Sequence, residues 1–212
     1  MKITVIYDNT AFRKDLQADW GFSALVEIKG RKILFDTGAD GDILLSNMEK
    51  LKINPQDIED VFISHLHWDH TGGLSSFLRL NNRVKLRIPS YLSGAKDARE
   101  VIEVKKPTKL YEGIYSTGEL DGIEQSLCVE TEKGIVIVVG YSHPKMEHIL
   151  KTASQFGKVY GIIGGLHATK PESLKELDLI CPTHCTQYKS EIRSLYPKKY
   201  IEGGAGRIIE VE

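Results

Sequence analysis

The chain has little of what marks several large protein classes. Only three of its 212 residues are cysteines, too few for a disulfide framework in a chain of this length. No run of 18 apolar residues occurs, so the sequence predicts no transmembrane helix. The opening stretch, MKITVIYDN, lacks the apolar core of a secretory signal peptide. We therefore expect a reduced, cytoplasmic protein with no membrane partner.

An excess of charge of one sign is also missing. Lysine and arginine number 28 against 29 acidic residues, which gives a formal net charge of −1. Because no global field draws such a chain to nucleic acid or anionic lipid, we expect a small-molecule substrate and no nucleic-acid partner. The 41% hydrophobic content, without repeats or linkers, predicts one globular domain over residues 1–212. The sequence does not indicate an oligomeric state.

Each half of the chain is predicted to begin with antiparallel strands and to continue with strands that alternate with helices. The first half has strand patterns at 2–7, 22–28, 32–35, 61–64 and 84–88, and helical patterns at 42–51 and 73–80. The second half has strand patterns at 126–131, 134–140, 160–163, 179–181, 200–201 and 207–211, and helical patterns at 144–156, 171–177 and 186–195. Two sheets packed face to face with helices outside would accommodate both halves.

Three local expectations accompany this pattern. Asp42 is expected as the N-cap or as a first-turn acid of its helix, and Pro144 as the first residue of another. Residues 100–118 are expected to form extended strands or a flap over the site. The weakly patterned segment 90–125 is expected to select the substrate.

What the chain does have is a concentration of metal-ligating side chains in the stretch FISHLHWDHTGG, residues 62–73. On an extended segment alternate side chains point the same way, so His65 and His67 can bind one ion. After a turn, Asp69 and His70 can face a second. Neutral imidazole and carboxylate suit Zn²⁺, Mn²⁺ or Fe²⁺. Two such ions, roughly 3.5–4 Å apart, can share a hydroxide and lower its pKa.

Four of the seven histidines each follow a predicted buried strand, namely His65, His143, His167 and His184. In α/β architectures the carboxyl ends of such strands converge on one crevice. His143 and His184 are therefore predicted to join the metal site. His167 is predicted either as a ligand or as a residue that supports the ligands or contacts the substrate. His148 lies inside a predicted helix and is expected to be exposed.

The stretch from His65 to His70 matches the H-x-H-x-D-H signature of the metallo-β-lactamase superfamily, and the resemblance extends over almost the whole chain. The motif LFDTG resembles one in which an aspartate, here Asp36, supports the metal loop. More narrowly, GYSHP, GGLH and HCTQ resemble the dihydropterin ribofuranosylaminobenzene phosphate synthase-like branch. The resemblance implies an αββα sandwich of two mainly antiparallel mixed sheets with outer helices. It also implies a first metal held by His65, His67 and His143, and a second held by Asp69, His70 and His184.

One departure from the family pattern concerns the bridge between the two metals. Most members carry an aspartate between the third and last histidines, whereas this chain reads GGLH at 164–167. Either His167 substitutes in part, or a hydroxide alone bridges and the second ion binds more weakly. Since repulsion between two dications is then less compensated, we expect one loose site or a variable metal count. Cys181 and Cys185 flank His184 and are expected to be small buried thiols, with a Cys–His metal site or a redox role as alternatives.

The leading functional prediction is a metal-dependent hydrolase with one or two divalent ions, zinc first and manganese or iron as alternatives. A metal-bound hydroxide would attack a phosphoester, cyclic phosphate, lactone or thioester of a small molecule, with Asp69 and His167 as catalytic residues. The alternatives are a pterin-type ribofuranosylaminobenzene phosphate synthase-like enzyme, a mononuclear iron oxidoreductase and, less favoured, a non-catalytic sensor. The sequence identifies neither substrate nor metal, because His/Asp sites accept several ions.

Overall fold

The protein contains two β-sheets packed face to face. The structure, a computed structural model, describes residues 1–89 and 97–212. The first sheet contains β1 (Lys2–Tyr7), β2 (Ser23–Ile28), β3 (Arg31–Phe35), β4 (Asp60–Phe62), β5 (Lys85–Ile88), β6 (Glu100–Glu103) and β13 (Ile208–Glu210). The second contains β7 (Thr108–Tyr111), β8 (Ile114–Ser116), β9 (Leu127–Thr131), β10 (Gly134–Val139), β11 (Val159–Gly165) and β12 (Leu179–Thr183). Their strand orders are β13-β1-β2-β3-β4-β5-β6 and β12-β11-β10-β9-β8-β7.

Both sheets are mixed and share one plan. In the first, strands β13, β1, β2 and β3 pair antiparallel, and β3 to β6 pair parallel. In the second, β7 to β10 pair antiparallel, and β10 to β12 pair parallel. The prediction that each half begins with antiparallel strands is confirmed. A two-residue turn joins β2 to β3, where Lys29 and Gly30 both have positive φ, as this tight hairpin requires.

Helices cover the outer faces. They are α1 (Gly41–Lys50), α2 (Trp68–Thr71), α3 (Leu74–Leu80), α4 (Met146–Ala153) and α5 (Lys189–Leu195), with 3₁₀ turns at Pro55–Asp57 and Pro171–Leu174. Successive side chains of a strand point to opposite faces of the sheet, so one strand contributes to two hydrophobic cores. Phe62 packs between the sheets, whereas Val61 packs under α1 and α3. A third cluster, which includes Ile137 and Ile149, lies under α4. No helix in the described ranges is long and apolar enough to cross a membrane.

Several predicted helix ends are wrong. Asp40, not Asp42, caps α1 through its side chain, and Asp42 is the first-turn acid. Helix α4 begins at Met146, so Pro144 lies before the helix rather than at its first position. The segment after Pro171 forms only a short 3₁₀ turn. Helix α5 begins at 189 rather than 186, because the Thr186 hydroxyl donates to Thr183 O and accepts from Leu166 N, which holds a turn there.

The weakly patterned region divides into two parts. Residues 97–125 include β6, β7 and β8, in agreement with the expected extended strands. The remainder of the segment expected to select the substrate, residues 90–96, lies outside the described residues.

The predicted strand at 200–201 is reduced to a single bridge between Tyr200 and Ile180.

Candidate metal centre

The site is built from loops that leave the carboxyl ends of strands in both sheets. From the first sheet come Asp36 after β3 and His65 after β4, and from the second come His143 after β10 and His184 after β12. Within the described residues, seven non-glycine residues have positive φ, and four of them lie in these loops: Asp36, Ser142, His167 and His184. Strained backbone of this kind costs about 1–3 kcal/mol per residue and clusters at functional sites.

The six predicted metal ligands fall into two groups. One contains His65, His67 and His143 and the other contains Asp69, His70 and His184, and within each group the candidate ligand atoms lie within 4.8 Å of one another. In the first group, His67 Nδ1 lies 3.2 Å from His143 Nε2. In the second, Asp69 Oδ2 lies 3.3 Å from His184 Nε2 and 3.9 Å from His70 Nε2. The rings of His65 and His70 are 4.2 Å apart and join the two groups.

Buried hydrogen bonds assign the tautomers of two of these histidines. Asp36 Oδ2 lies 2.7 Å from His70 Nδ1 and also accepts from the Ser64 hydroxyl at 2.7 Å. Because a carboxylate only accepts, the proton of the neutral His70 ring sits on Nδ1. The Ser64 hydroxyl gives its hydrogen to Asp36, so at 3.0 Å it accepts from His65 Nδ1. The contact predicted for Asp36 is therefore present, and both rings are left with a lone pair on Nε2.

The third buried imidazole, His184, is oriented in the same way by Asn9. Asn9 Oδ1 accepts from Gly21 N and lies 2.8 Å from His184 Nδ1, while Asn9 Nδ2 donates to His184 O. Asp8 Oδ1 also accepts from the His184 backbone N–H at 2.7 Å. His184 therefore carries its proton on Nδ1 and also presents a lone pair from Nε2.

These lone pairs provide the test of whether a cation fits. The Nε2 atoms of His65, His70 and His184 are buried and have no hydrogen-bond partner among the described residues. A buried polar atom without a partner is unfavourable, and three acceptors that face a shared space cannot satisfy one another. A divalent cation in each ligand group would satisfy them, and imidazole nitrogen is a ligand of zinc and related metals. The arrangement fits a metal centre.

For three of the four histidines whose pKa is shifted, the shift favours the neutral form that binds metals. Burial, followed by the neighbouring imidazoles, strongly lowers the pKa of His65 and lowers that of His143 to about 4. Burial also lowers the pKa of His184. For His70, burial acts in the same direction, but the adjacent Asp36 carboxylate outweighs it and raises the pKa. Three of these histidines are thus neutral at pH 7, the state in which imidazole binds metals.

Asp69 is the single carboxylate of the two groups, and the Trp20 indole Nε1–H donates to its Oδ2 at 2.8 Å. Burial alone would raise the pKa of Asp69, but the adjacent imidazoles of His184 and His70 outweigh it and lower that pKa to about 2. The carboxylate is therefore ionised at neutral pH. Gly72 follows closely, and a Cβ there would lie 2.0 Å from Ala39 O, so the two backbone segments pass too closely for a side chain at this position.

Glu124 fixes the loop that carries His143. Its buried carboxylate accepts four backbone N–H groups: Oε1 accepts those of Gly140, Tyr141 and Ser142 at 2.9–3.1 Å, and Oε2 accepts that of His143 at 2.8 Å. One side chain thus satisfies four consecutive donors that would otherwise be buried without partners. The position of the His143 ring depends on this carboxylate.

Two positions of the GGLH stretch, which stands where most family members carry the bridging aspartate, have no room for a side chain. A Cβ on Gly164 would lie 1.9 Å from Val139 O, and a Cβ on Gly165 would lie 2.3 Å from Gly140 O. The ends of β10 and β11 approach too closely for any larger residue at either position. The Tyr141 ring lies nearby, with its centroid 4.2 Å from that of His143.

His167 lies outside both ligand groups. Its ring centroid is 4.6 Å from that of Tyr141 and 6.4 Å from that of His143, and its buried Nδ1 has no partner among the described residues.

Cys181 and Cys185 are buried free thiols, and burial raises the pKa of each to about 12. Thiols held in the protonated form are poor nucleophiles and poor metal ligands. His148 is exposed on α4, beside Asp121.

Comparison with known proteins places this geometry in a family. A model of the metallo-beta-lactamase superfamily matches residues 20–165, which include five of the six predicted ligands. The chain belongs to the metallo-beta-lactamase superfamily. The solved structure of Tm1679, described as a metal-dependent hydrolase of the beta-lactamase superfamily, matches with a TM-score of 0.79 and 25% identity, over 100% of this chain and 99% of that chain. The predicted two-sheet fold is confirmed.

Two curated relatives show different extents of similarity. The 7,8-dihydropterin-6-methyl-4-(beta-D-ribofuranosyl)-aminobenzene-5'-phosphate synthase of Methanocaldococcus jannaschii is 28% identical over 284 aligned positions, covering 98% of this chain and 95% of that protein. Ribonuclease Z of Pyrococcus abyssi is 32% identical over 81 residues, covering 38% of this chain and 25% of that protein. The similarity to the synthase therefore spans both proteins, whereas the similarity to the nuclease is local.

Apart from Asp36, sequence reasoning missed the residues that orient the ligands in this metallo-beta-lactamase fold. Asn9 could have been found, because it follows the buried strand β1 just as the histidines follow theirs. Ser64 precedes His65 and had no signal beyond that position. Trp20 and Glu124 lie in segments without a strong pattern, and only the packing of distant segments brings them to Asp69 and to the His143 loop.

Proposed function

We propose that the protein is a metal-dependent hydrolase that cleaves an ester or phosphoester bond of a small molecule. The observation that carries the proposal is the set of three buried imidazoles, His65, His70 and His184, whose Nε2 lone pairs have no partner among the described residues. They lie with His67, His143 and Asp69 in two adjacent groups of three. Membership of a superfamily with a structurally similar member described as a metal-dependent hydrolase supports this function.

The proposed metal ligands are His65, His67 and His143 for one ion, and Asp69, His70 and His184 for another. Divalent ions held there would act as Lewis acids, lowering the pKa of water and stabilising the attacking and leaving oxygens. The chain supplies the orientation: Asp36 and Ser64 fix His70 and His65, and Asn9 fixes His184. Zinc is the first candidate because imidazole and carboxylate are its usual catalytic ligands, with manganese and iron as alternatives.

Asp69 and His167 are the proposed catalytic residues. The ionised Asp69 carboxylate lies at the second ligand group, where it can accept a hydrogen bond from the attacking water and orient it. The His167 ring packs against the Tyr141 ring, outside the two ligand groups. Because its Nδ1 is buried, its Nε2 is the nitrogen that would give a proton to the leaving oxygen.

Two alternatives each have an observation in their favour. The similarity to the M. jannaschii synthase covers nearly all of both proteins, but the alignment spans 284 positions against 212 residues here, so that protein contains segments that this chain lacks. Asp69, His70 and His184 alone make two imidazoles and one carboxylate, the ligand set of mononuclear iron oxygenases. The adjacent three-histidine group favours a two-metal hydrolase over the iron enzyme.

Metal analysis followed by reconstitution tests the proposal. The protein would be purified without chelator, its metal content measured, and the ions removed and restored one at a time as Zn²⁺, Mn²⁺ or Fe²⁺. Each form would be assayed on phosphomonoesters, phosphodiesters, lactones and thioesters, with oxygen consumption recorded for the iron form. We expect hydrolysis that depends on the restored metal and is unchanged in His148→Ala. Less than one ion per chain without hydrolysis in any form would contradict the proposal, and oxygen consumption by the iron form alone would favour the oxygenase.

A further inference from the structure

A cavity of about 290 Å³ lies beside His143, between the loop that leads into α4 and the loop that follows β11. Its volume is at the small end of the range for small-molecule sites, roughly 300–1,000 Å³. Because His143 is both a wall of this cavity and a member of the first ligand group, a group held in the cavity would adjoin the proposed metal centre. Its polar and charged lining includes Lys145, Glu147, His167, Thr169, Lys170 and Ser173.

The charges of the lining favour an anion. Lys145 and Lys170 are both exposed, and neither forms an ion pair with any described residue. The one acidic side chain, Glu147, accepts a hydrogen bond from the Ser173 hydroxyl at 2.9 Å. The lining therefore includes two lysines and one carboxylate. Lys145 also occupies the N-cap of α4, where no side chain caps the helix and the positive end of its dipole adds to the field.

We propose that this cavity is an anion subsite that binds a phosphate group of the substrate, with Lys145 and Lys170 as its principal contacts. The proposal rests on the function proposed above and narrows the substrate class to phosphorylated small molecules. Lysine ammonium groups bind phosphate as point charges, and the Thr169 hydroxyl adds a hydrogen-bond donor. The small volume suits an anionic group better than a ring system.

The position of the cavity gives this phosphate a role in specificity. A phosphate between Lys145 and Lys170 would anchor one end of the substrate, while a different bond of the same molecule lies at the two ligand groups. Binding energy gained away from the reacting bond can position that bond for attack. The substrate is then a phosphorylated compound in which the anchored phosphate is not the group that is cleaved.

Titration with inorganic phosphate tests the subsite without requiring catalysis. Protein stripped of metal by a chelator and then dialysed would be titrated with phosphate while backbone amide shifts are followed by NMR. We expect shifts at Lys145 and Thr169, and about tenfold weaker binding in each of Lys145→Ala and Lys170→Ala, since hydrogen bonds to charged groups are the stronger class. Glu147→Gln should bind phosphate more tightly, because it removes the opposing charge.

The matched control is Lys151→Ala, which removes an exposed lysine from the same helix but outside the cavity. It should bind phosphate as the unaltered protein does. Phosphate binding by Lys145→Ala and Lys170→Ala as tight as that of the unaltered protein, no binding by the stripped protein, or equally tight binding of acetate would each overturn the subsite. If the stripped protein binds phosphate as expected but the reconstituted protein hydrolyses nothing, the subsite stands and the proposed hydrolase fails.

Discussion

The Trp20 indole Nε1–H donates a hydrogen bond of 2.8 Å to Asp69 Oδ2, the same carboxylate oxygen that lies 3.3 Å from His184 Nε2. The indole also packs edge-on against the His184 ring, with centroids 5.1 Å apart. One side chain therefore holds two of the three members of the second ligand group. Outer residues of this kind fix the rotamers of metal ligands and tune their basicity.

Replacing Trp20 should weaken metal binding without removing a ligand. In Trp20→Phe an aromatic ring remains beside His184, but Asp69 loses its hydrogen-bond donor and is less well fixed. We expect about 10- to 100-fold weaker affinity for the ion bound by Asp69, His70 and His184, as is usual when an outer partner of a ligand is lost. Competition with a chromophoric chelator measures this affinity directly.

The sequence supplies a matched control for that experiment. Trp68 is the only other tryptophan, and its side chain is 64% exposed although it stands between two predicted ligands. Trp68→Phe should leave metal affinity unchanged and makes Trp20 the sole tryptophan, whose emission should then respond to metal. An equal loss of affinity in both variants would show that the Trp20–Asp69 bond has no special role.

Asp36→Asn tests the buried network beneath the site. Asp36 accepts three hydrogen bonds, from Ser64 N, the Ser64 hydroxyl and His70 Nδ1. An asparagine in the same position must turn its NH₂ group towards at least one of these donors. We expect a loss of roughly 1–3 kcal/mol in the free energy of unfolding, measured by denaturant titration of the metal-free protein. Metal affinity should also fall, by about 10- to 100-fold.

Asp121→Asn provides the comparison for this substitution. Asp121 is exposed, and its carboxylate lies 3.1 Å from Nδ1 of the similarly exposed His148. Surface changes of this type alter stability by about 0.5 kcal/mol or less. Similar stability losses in the two variants would refute the role given to Asp36.

Glu124→Gln should loosen the His143 loop. The carboxylate of Glu124 accepts four backbone N–H groups, and an amide cannot accept all four because its NH₂ group is a donor. We expect destabilisation of roughly 1–3 kcal/mol, together with faster hydrogen exchange at residues 140–143. The exposed Glu132→Gln is the control. Unchanged exchange at 140–143 in Glu124→Gln would rule out a fixing role for this carboxylate.

Local sequence information was sufficient for the centre of the site and insufficient for its support. His65, His67, Asp69 and His70 lie within six residues, so their proximity is imposed by the chain itself. His143 and His184 could be added because they follow buried strands whose carboxyl ends meet. Asp36 was anticipated only through the family resemblance.

The supporting contacts escaped prediction because they join distant segments. Asn9 and His184 are 175 residues apart in the sequence, and Trp20 and Asp69 are 49 apart. The first pair depends on how β1 and β12 are brought together, which periodicity does not report. The predicted start of α5 was wrong for a related reason. The Thr186 hydroxyl accepts from Leu166 N and donates to Thr183 O, and this tertiary contact holds a turn before the helix begins.

Loss of metal should occur in two steps rather than one. The group of His65, His67 and His143 has only neutral ligands, and His67 is exposed, whereas the second group includes the ionised Asp69 and is buried throughout. No carboxylate at 164 or 165 can offset repulsion between two ions, since a Cβ at either glycine would meet the backbone of β10 or of Gly140. We therefore expect graded dialysis against chelator to release the first group's ion well before the second, the reverse of the order considered from the sequence, because the second group is buried and carries the carboxylate.

Native mass spectrometry of two variants would assign the two ions. His67→Ala should retain one tightly held ion, whereas His70→Ala should lose that ion. The retained ion should also stabilise the fold, by about 2.7 kcal/mol at a free metal concentration 100 times its dissociation constant. Release of both ions at the same chelator concentration would instead mean that the two groups form a single coupled site.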